Sequence, residues 1–174
     1  MKKKSYKVAF GGMMTAVGAV IMILGSMLSI ATYAAPLFAS LVMIPVIDKI
    51  GKSGAWMVWV ATSLLAFFLC ADKETAFFYI FIGYYPIIKG KLDAINSTPL
   101  RIVSKIAVFT VSIAAMYLCM IYLFRLDAVI AEMKESGTVM NIVMFVILVG
   151  IMLVFDVLIE RLTAKYRKRF RNGK

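Results

Sequence analysis

The stretch that decides the fold is residues 8–47, VAFGGMMTAVGAVIMILGSMLSIATYAAPLFASLVMIPVI, which contains no charged residue. A transmembrane α-helix needs about 20 consecutive apolar residues, so this stretch is long enough to cross a bilayer and fold back on itself. Pro36 supplies the break, because proline is tolerated in the first turn of a helix and biases the preceding residue away from helix. The stretch therefore predicts two helices, near 8–30 and 35–47.

The rest of the chain continues as apolar segments separated by short charged or polar turns. Further helices are predicted near residues 55–71, 75–89, 102–124 and 138–159. The helix near 75–89 is short for a ~30 Å hydrocarbon core, so either flanking lysines snorkel or Gly83-Tyr84-Tyr85-Pro86 marks a broken helix that lines a cavity. The sequence thus predicts an all-α integral membrane protein with a bundle of about six transmembrane helices. We expect one domain over residues 1–174, ending in a basic amphipathic tail, 160–174.

The composition supports a membrane protein and removes most enzyme classes. Hydrophobic residues make up 63% of the chain and charged residues 17%, against about 45–50% and 25% in soluble domains. Unbroken apolar runs favour helices over a β-barrel, since backbone polar groups must be paired within lipid. The chain has no histidine, and Cys70 and Cys119 show no paired spacing. We therefore predict no catalytic residue, no metal site and no cofactor, and we do not expect an enzyme.

The distribution of basic residues predicts the topology. Of the 20 Lys and Arg residues, all but Lys73, Arg125 and Lys134 fall in the two ends or in the segments 48–54 and 89–105. The positive-inside rule then places both ends in the cytoplasm of a multi-pass plasma-membrane protein. The net charge of +11 is explained by this topology, so no nucleic-acid partner is predicted.

Two further predictions concern charge near the C-terminus. In the tail, Leu162, Tyr166 and Phe170 recur every four residues among basic side chains, which predicts contact with anionic lipids of the inner leaflet. Asp156 lies within an apolar helix and is close enough to the interface to pair with Lys105 or Arg161, so we assign it a structural role.

Small residues dominate one side of the first helix. Ala9, Gly12, Ala16 and Ala19 recur at helical spacing, and a neighbouring stripe holds Gly11, Thr15, Gly18, Gly25 and Ser29. Small residues let helix backbones approach closely in lipid. Such a stripe serves either packing inside the bundle or docking of another membrane protein, and Ala9, Gly12, Ala16 and Ala19 are our candidate docking residues.

Charged and aromatic residues collect at the turns that this topology places outside. The candidate ligand-binding residues are Tyr33, Asp72, Lys73, Glu74, Tyr84 and Arg125, and Tyr79 is a further aromatic candidate. They would supply aromatic walls, hydroxyls and both signs of charge to a small polar ligand in a pocket that opens outward. The alternative is that the charged turns are solvated loops without a ligand.

In size, predicted helix number, orientation and the small residues of its first helix, the chain resembles the S components, the substrate-binding membrane subunits of energy-coupling-factor (ECF) transporters. The family's Ala-x-x-x-Ala docking pattern corresponds here to Gly12-Met13-Met14-Thr15-Ala16, with Ala9 and Ala19 on the same face. The resemblance implies capture of a small, water-soluble, vitamin-like nutrient. It also implies a separate ECF-type transmembrane scaffold and ATPase subunits as partners.

A second class of function fits the same architecture. A small membrane scaffold or cell-shape accessory protein without a ligand would share the size, the basic ends and the helix number. A ligand retained by the purified protein would distinguish the two functions.

Gly51-Lys52-Ser53 resembles the end of a P-loop, but Val46 stands where the first glycine is required, so nucleotide binding is not predicted.

Overall fold

The computed structural model describes residues 2–28, 32–124 and 127–171, and these residues are all-helical, without a β-strand. This confirms the predicted all-α class. The helices are α1 Lys2–Ser26, α2 Ala34–Leu41, α3 Met43–Leu69, α4 Lys73–Ile82, α5 Tyr85–Leu92, α6 Thr98–Leu118 and α7 Asp127–Arg171. A π-helical turn, Cys119–Leu123, continues α6.

Four of these helical segments are long and apolar enough to cross a membrane. They are Lys4–Ser26, Met43–Leu69, Thr98–Leu123 and Glu135–Tyr166. Large apolar side chains are exposed along them, among them Leu24, Met57, Phe68, Val139 and Val146. Exposed apolar surface of this extent is compatible with a protein whose solvent is lipid.

Proline explains two helix ends that lie inside segments predicted as single helices. An interior proline removes the hydrogen bond to the carbonyl four residues earlier and clashes with it. Pro45 stands four residues after Leu41, the last residue of α2, and Pro86 stands four residues after Ile82, the last residue of α4. The predicted helix 35–47 is therefore divided between α2 and α3. The segment near 75–89 is divided between α4 and α5 at Gly83 and Tyr84, whose backbone stays in the α region. That it lines a cavity stays a prediction.

Glycine provides two further breaks. Gly51 lies within α3 with φ 85° and ψ 175°, so the helical backbone is interrupted in the segment that was predicted as the turn between two helices. Gly137 has φ 74° and ψ 164° within α7, close to the predicted start of the last helix. Positive φ is a conformation that glycine adopts without steric cost. Beyond Gly137 the helix continues to Arg171, through most of the predicted tail.

The chain divides into two compact units, residues 1–97 and 98–174, and the prediction of one domain stays a prediction. In the first unit α1 packs on α2 and α3, and α4 packs on α2 and α3. Its core is apolar and includes Met22, Met43, Val46, Ala66, Ala76 and Tyr79. Glycines at seven-residue spacing, Gly11, Gly18 and Gly25, let α1 approach its neighbours.

These glycine contacts show which stripe of α1 faces inward. A Cβ at Gly18 would lie 3.1 Å from Thr62 Cγ2, and one at Gly25 would lie 2.0 Å from Ala35 Cβ. Gly11, Gly18 and Gly25 of the neighbouring small-residue stripe therefore serve packing within the first unit, and Ser29 of that stripe lies outside the described residues.

In the second unit α6 packs against α7. Each helix carries a buried apolar stripe with the spacing i, i+4, i+7, i+11. One stripe is Phe109, Ile113 and Met116 of α6 together with Met120 of the π-helical turn that continues it, and the other is Leu148, Met152, Phe155 and Ile159 of α7. This spacing places the four residues of each stripe on one narrow face of their helix, and these two faces pack against each other.

Candidate ligand-binding site

Four of the predicted site residues meet at the turn between α3 and α4. Tyr33, the residue before α2, donates a hydrogen bond from its hydroxyl to Glu74 Oε1 at 2.5 Å. Its ring packs edge-on against Phe78. The bond joins the start of α2 to the start of α4, so the structure brings Tyr33 and the predicted charged turn together.

The other two residues of this turn act as helix caps. Asp72 precedes α4 and accepts hydrogen bonds from the backbone N–H of Glu74 at 2.9 Å and of Thr75 at 3.2 Å. An aspartate at this position satisfies N–H groups that have no partner within the helix. Lys73 donates to the carbonyl oxygens of Phe67 at 2.9 Å and Cys70 at 3.1 Å, at the end of α3. Asp72, Lys73 and Glu74 thus all bond to the protein itself.

Tyr84 and Arg125 are not part of this cluster. Tyr84 lies beyond the other end of α4, where its ring stacks on Trp56 with centroids 6.0 Å apart and meets Trp59 edge-on at 5.8 Å. From Lys73 to Tyr84 the chain advances about 16 Å along a helix axis. Arg125 lies outside the described residues.

A second group of polar side chains lies on α3 and α4, and we call it the polar cluster: Trp59, Thr62 and Ser63 of α3 and Tyr79 of α4. Its members in α3 recur at i, i+3 and i+4 and so share one face of the helix. Thr62 and Tyr79 are fully buried, and Ser63 is 8% exposed. The indole nitrogen of Trp59 and the three hydroxyls are buried, and none has a hydrogen-bond partner among the described residues.

The helices around the polar cluster hold it in an apolar setting. The hydroxyls of Thr62 and Tyr79 face each other without forming a hydrogen bond of acceptable geometry. Gly18 of α1 packs on Thr62, so α1, α3 and α4 meet at this point. Gly83 packs behind Tyr79, since a Cβ at that position would come within 2.8 Å of the tyrosine ring. Close packing surrounds these two hydroxyls, and among the described residues neither has a hydrogen-bond partner.

Sequence reasoning weighed Tyr79 and missed the other members of the polar cluster. The signal was present, because Thr62 and Ser63 are the hydroxyl residues of the otherwise apolar segment 55–71. Their adjacency to Tyr79 follows from the packing of α3 on α4, which the sequence does not display. A threonine or serine within a helix can donate to the carbonyl four residues earlier, as Thr15 donates to Gly11 O at 3.0 Å. The sequence therefore does not reveal that Thr62 and Ser63 make no such bond among the described residues.

The predicted docking residues do not all share one surface. Ala9, Gly12 and Ala16 are exposed on α1, whereas Ala19 is buried. A Cβ at Gly12 would meet no atom of the described residues within 4 Å. Gly12 is therefore not required for packing inside the first unit.

The second unit contains a buried ion pair. Lys105 Nζ of α6 lies 2.7 Å from Asp156 Oδ2 of α7, and both side chains are 9% exposed. The prediction that Asp156 pairs with a nearby basic residue is confirmed, with Lys105 as the partner. Each charge neutralises the other, so the pair joins α6 to α7 at a depth where one buried charge alone would be costly.

The polar cluster offers hydrogen bonds rather than metal coordination or a nucleophile with a base. Within the described ranges no three His, Cys, Asp or Glu side chains are grouped so that they could hold a metal ion.

Comparisons of the chain with protein-family models, with curated proteins and with solved structures find no match. The geometry of the two clusters is therefore the basis of the functional argument.

Proposed function

We propose that this protein is a substrate-capturing membrane subunit for uptake of a small water-soluble nutrient, working with a separate ATPase module. The observation that carries the proposal is the polar cluster. A buried polar group without a partner costs about 1–3 kcal/mol, and here four such groups lie in one region of the first unit. A ligand that supplied complementary groups would recover part of that cost on binding.

The proposed topology gives such a ligand a route. With both ends in the cytoplasm and six crossings, the turn of Asp72, Lys73 and Glu74 faces outward. Tyr79 lies seven residues after Asp72, so the polar cluster is about 10 Å below this turn. A nutrient would enter from outside at the turn and bind in the outer half of the hydrocarbon core.

The exposed stripe on α1 supports a partner in the membrane. Ala9, Gly12 and Ala16 are exposed and have small side chains or none, and a side chain at Gly12 would project away from the other described residues. In lipid, small residues allow close contact with the backbone of a second helix. We assign this stripe to docking on an ECF-type transmembrane scaffold, whose ATPase subunits would supply the energy.

The test is whether purified protein retains a small molecule through the polar cluster. Wild type and Tyr79→Phe, isolated from the same cells, are denatured, and the released compounds are compared by mass spectrometry. We expect a compound that wild type releases in stoichiometric amount and that Tyr79→Phe has lost by tenfold or more. The substitution keeps the ring and removes only the unpaired hydroxyl.

Ser40→Ala is the matched control. Its hydroxyl is also fully buried in the first unit, but it donates to Leu37 O at 2.7 Å and lies outside the polar cluster. This variant should retain the compound. Release of no compound by wild type, even after incubation with a cell extract, would contradict the proposal and favour a scaffold without a ligand.

A further inference from the structure

The polar cluster differs from the turn of Asp72, Lys73 and Glu74 in one chemical respect, which is charge. Its members are an indole and three hydroxyls, none of them ionised at neutral pH. The side chains of the core that contains Tyr79 are apolar, among them Met22, Val46, Ala66 and Ala76. Along α4 the turn of Asp72, Lys73 and Glu74 begins about 10 Å from Tyr79. Its charged groups already bond to the protein, and the ammonium of Lys73 is held by Phe67 O, four residues from Ser63 along α3.

We infer that the polar cluster selects an uncharged ligand that carries hydrogen-bond acceptors, an inference that rests on the proposed function. A buried carboxylate or ammonium group needs an opposite charge or several charge-assisted hydrogen bonds, and the cluster supplies no ionised group. An uncharged amide, carbonyl or ring nitrogen needs only the neutral hydrogen bonds that the cluster offers. The site therefore discriminates by the cost of burying charge.

The donor inventory sets the second requirement. Trp59 Nε1 can only donate a hydrogen bond, whereas the hydroxyls of Thr62, Ser63 and Tyr79 can donate or accept. A ligand must therefore present at least one acceptor to Trp59 and can present either kind of group to the hydroxyls. A hydrocarbon of the same size would leave all four groups unpaired.

The tryptophans provide a direct readout. The chain contains two tryptophans, Trp56 and Trp59, whose rings are in edge-on contact with centroids 5.3 Å apart. Intrinsic fluorescence of the full-length protein in detergent therefore reports on this site. Trp59→Phe removes the N–H donor, keeps an aromatic ring and leaves Trp56 as the reporter.

The experiment uses a small-molecule cell extract divided by ion exchange into neutral, anionic and cationic fractions at pH 7. Each fraction is titrated into ligand-stripped wild type, Trp59→Phe, Thr62→Val and Ser40→Ala, and fluorescence and thermal unfolding are recorded. We expect the neutral fraction alone to shift both signals in wild type and Ser40→Ala. The concentration required should rise ten- to a hundredfold in Trp59→Phe and Thr62→Val.

Every other outcome contradicts the inference, the proposed function or both. A response to the anionic or cationic fraction that depends on Thr62 would overturn the inference and leave the proposed function standing. A response to the neutral fraction that is equal in Thr62→Val and wild type would place binding elsewhere and overturn the inference. No response of folded wild type to any fraction would overturn the proposed function and the inference together. The thermal unfolding transition verifies that each variant is folded.

Discussion

Thr62 and Thr75 are both fully buried threonines of the first unit, but their hydroxyls are in opposite situations. Thr75 Oγ1 donates to Asp72 Oδ2 at 2.5 Å, in the cap of α4. Thr62 Oγ1 has no partner among the described residues. Replacing a threonine by valine exchanges the hydroxyl for a methyl group of similar size. The same substitution therefore has opposite physical consequences at the two positions.

We expect Thr62→Val to stabilise the ligand-free protein and Thr75→Val to destabilise it. Removal of an unpaired buried hydroxyl relieves a desolvation cost, and we expect a gain of about 1 kcal/mol, or roughly 2–4 °C in the unfolding temperature. Loss of the Thr75 bond should cost about 1–2 kcal/mol, because Asp72 loses a charge-assisted partner. Thermal unfolding of the two variants in one detergent measures both changes. A loss of stability in Thr62→Val would mean that its hydroxyl is paired within the protein.

The sequence predicted that residues of two turns lie close together, but it did not predict the contacts that they make. Tyr33 and Glu74 were expected to be near one another, and they are hydrogen-bonded. Whether a charged side chain at a turn binds a ligand or caps a helix depends on the direction of neighbouring N–H and C=O groups. Those directions follow from the helix ends, and the sequence places helix ends only to within a few residues.

Among the elements, α1 shows most clearly that two stripes of small residues can serve different contacts. Gly25 and Gly12 lie on the same helix, but a Cβ at Gly25 would overlap Ala35, whereas one at Gly12 meets no atom within 4 Å in the part of the chain that the structure describes. A bulky side chain should therefore have unequal effects at the two positions. The sequence predicted both stripes, and the packing of α2 and α3 on α1 separates them.

We expect Gly25→Leu to unfold the first unit and Gly12→Leu to leave the monomer folded. The leucine at Gly25 would force α1 and α2 apart, while the leucine at Gly12 would only separate α1 from a docked partner. Gly12→Leu should abolish co-purification with an ECF-type scaffold. Size-exclusion chromatography and thermal unfolding measure folding, and affinity purification of the tagged protein measures docking. Unfolding of Gly12→Leu would assign this stripe to internal packing and remove the main support for docking.

The breaks at Pro45 and Pro86 show how far element boundaries can be predicted. Both prolines stand four residues after the last residue of the preceding helix, and the second break was anticipated from Gly83-Tyr84-Tyr85-Pro86. The break at Pro45 was not predicted, because residues 35–47 contain no charged residue and no glycine to mark a helix end. The same steric rule applies to both sites, so it would have located the end of α2.

For the whole molecule, the number of membrane crossings depends on α3. Read by length and composition, Met43–Leu69 is one of four segments able to cross a membrane. Lys52 would then lie about 13 Å along the helix from Met43, near the middle of a ~30 Å hydrocarbon core. A lysine there costs about 2.5–3.5 kcal/mol by insertion scales. The non-helical backbone at Gly51 instead favours a turn at the membrane surface and six crossings.

A reporter inserted next to Lys73 distinguishes these topologies. Six crossings place Lys73 outside, whereas four crossings, with Met43–Leu69 crossing once, place it in the cytoplasm. We expect an external signal at Lys73 and cytoplasmic signals near Ser97 and after Lys174. An external signal is also expected near Lys134, which lies outside in either topology. Accessibility of single cysteines to a membrane-impermeant reagent, in a variant lacking Cys70 and Cys119, provides an independent measurement. A cytoplasmic Lys73 would contradict the six-helix prediction.

The helix that follows Gly137 has a mechanical consequence. Residues 138–171 have helical backbone without a further break, which corresponds to a length of about 50 Å. If this helix crosses a hydrocarbon core of ~30 Å, little more than half of its length lies within the core, and the remainder, which is the predicted tail, lies beyond it. If the helix pivots by about 10° at its Gly137 end, its far end swings by roughly 9 Å. Helix α7 would thus act as a lever arm that converts a small tilt at Gly137 into a much larger displacement of its C-terminal end.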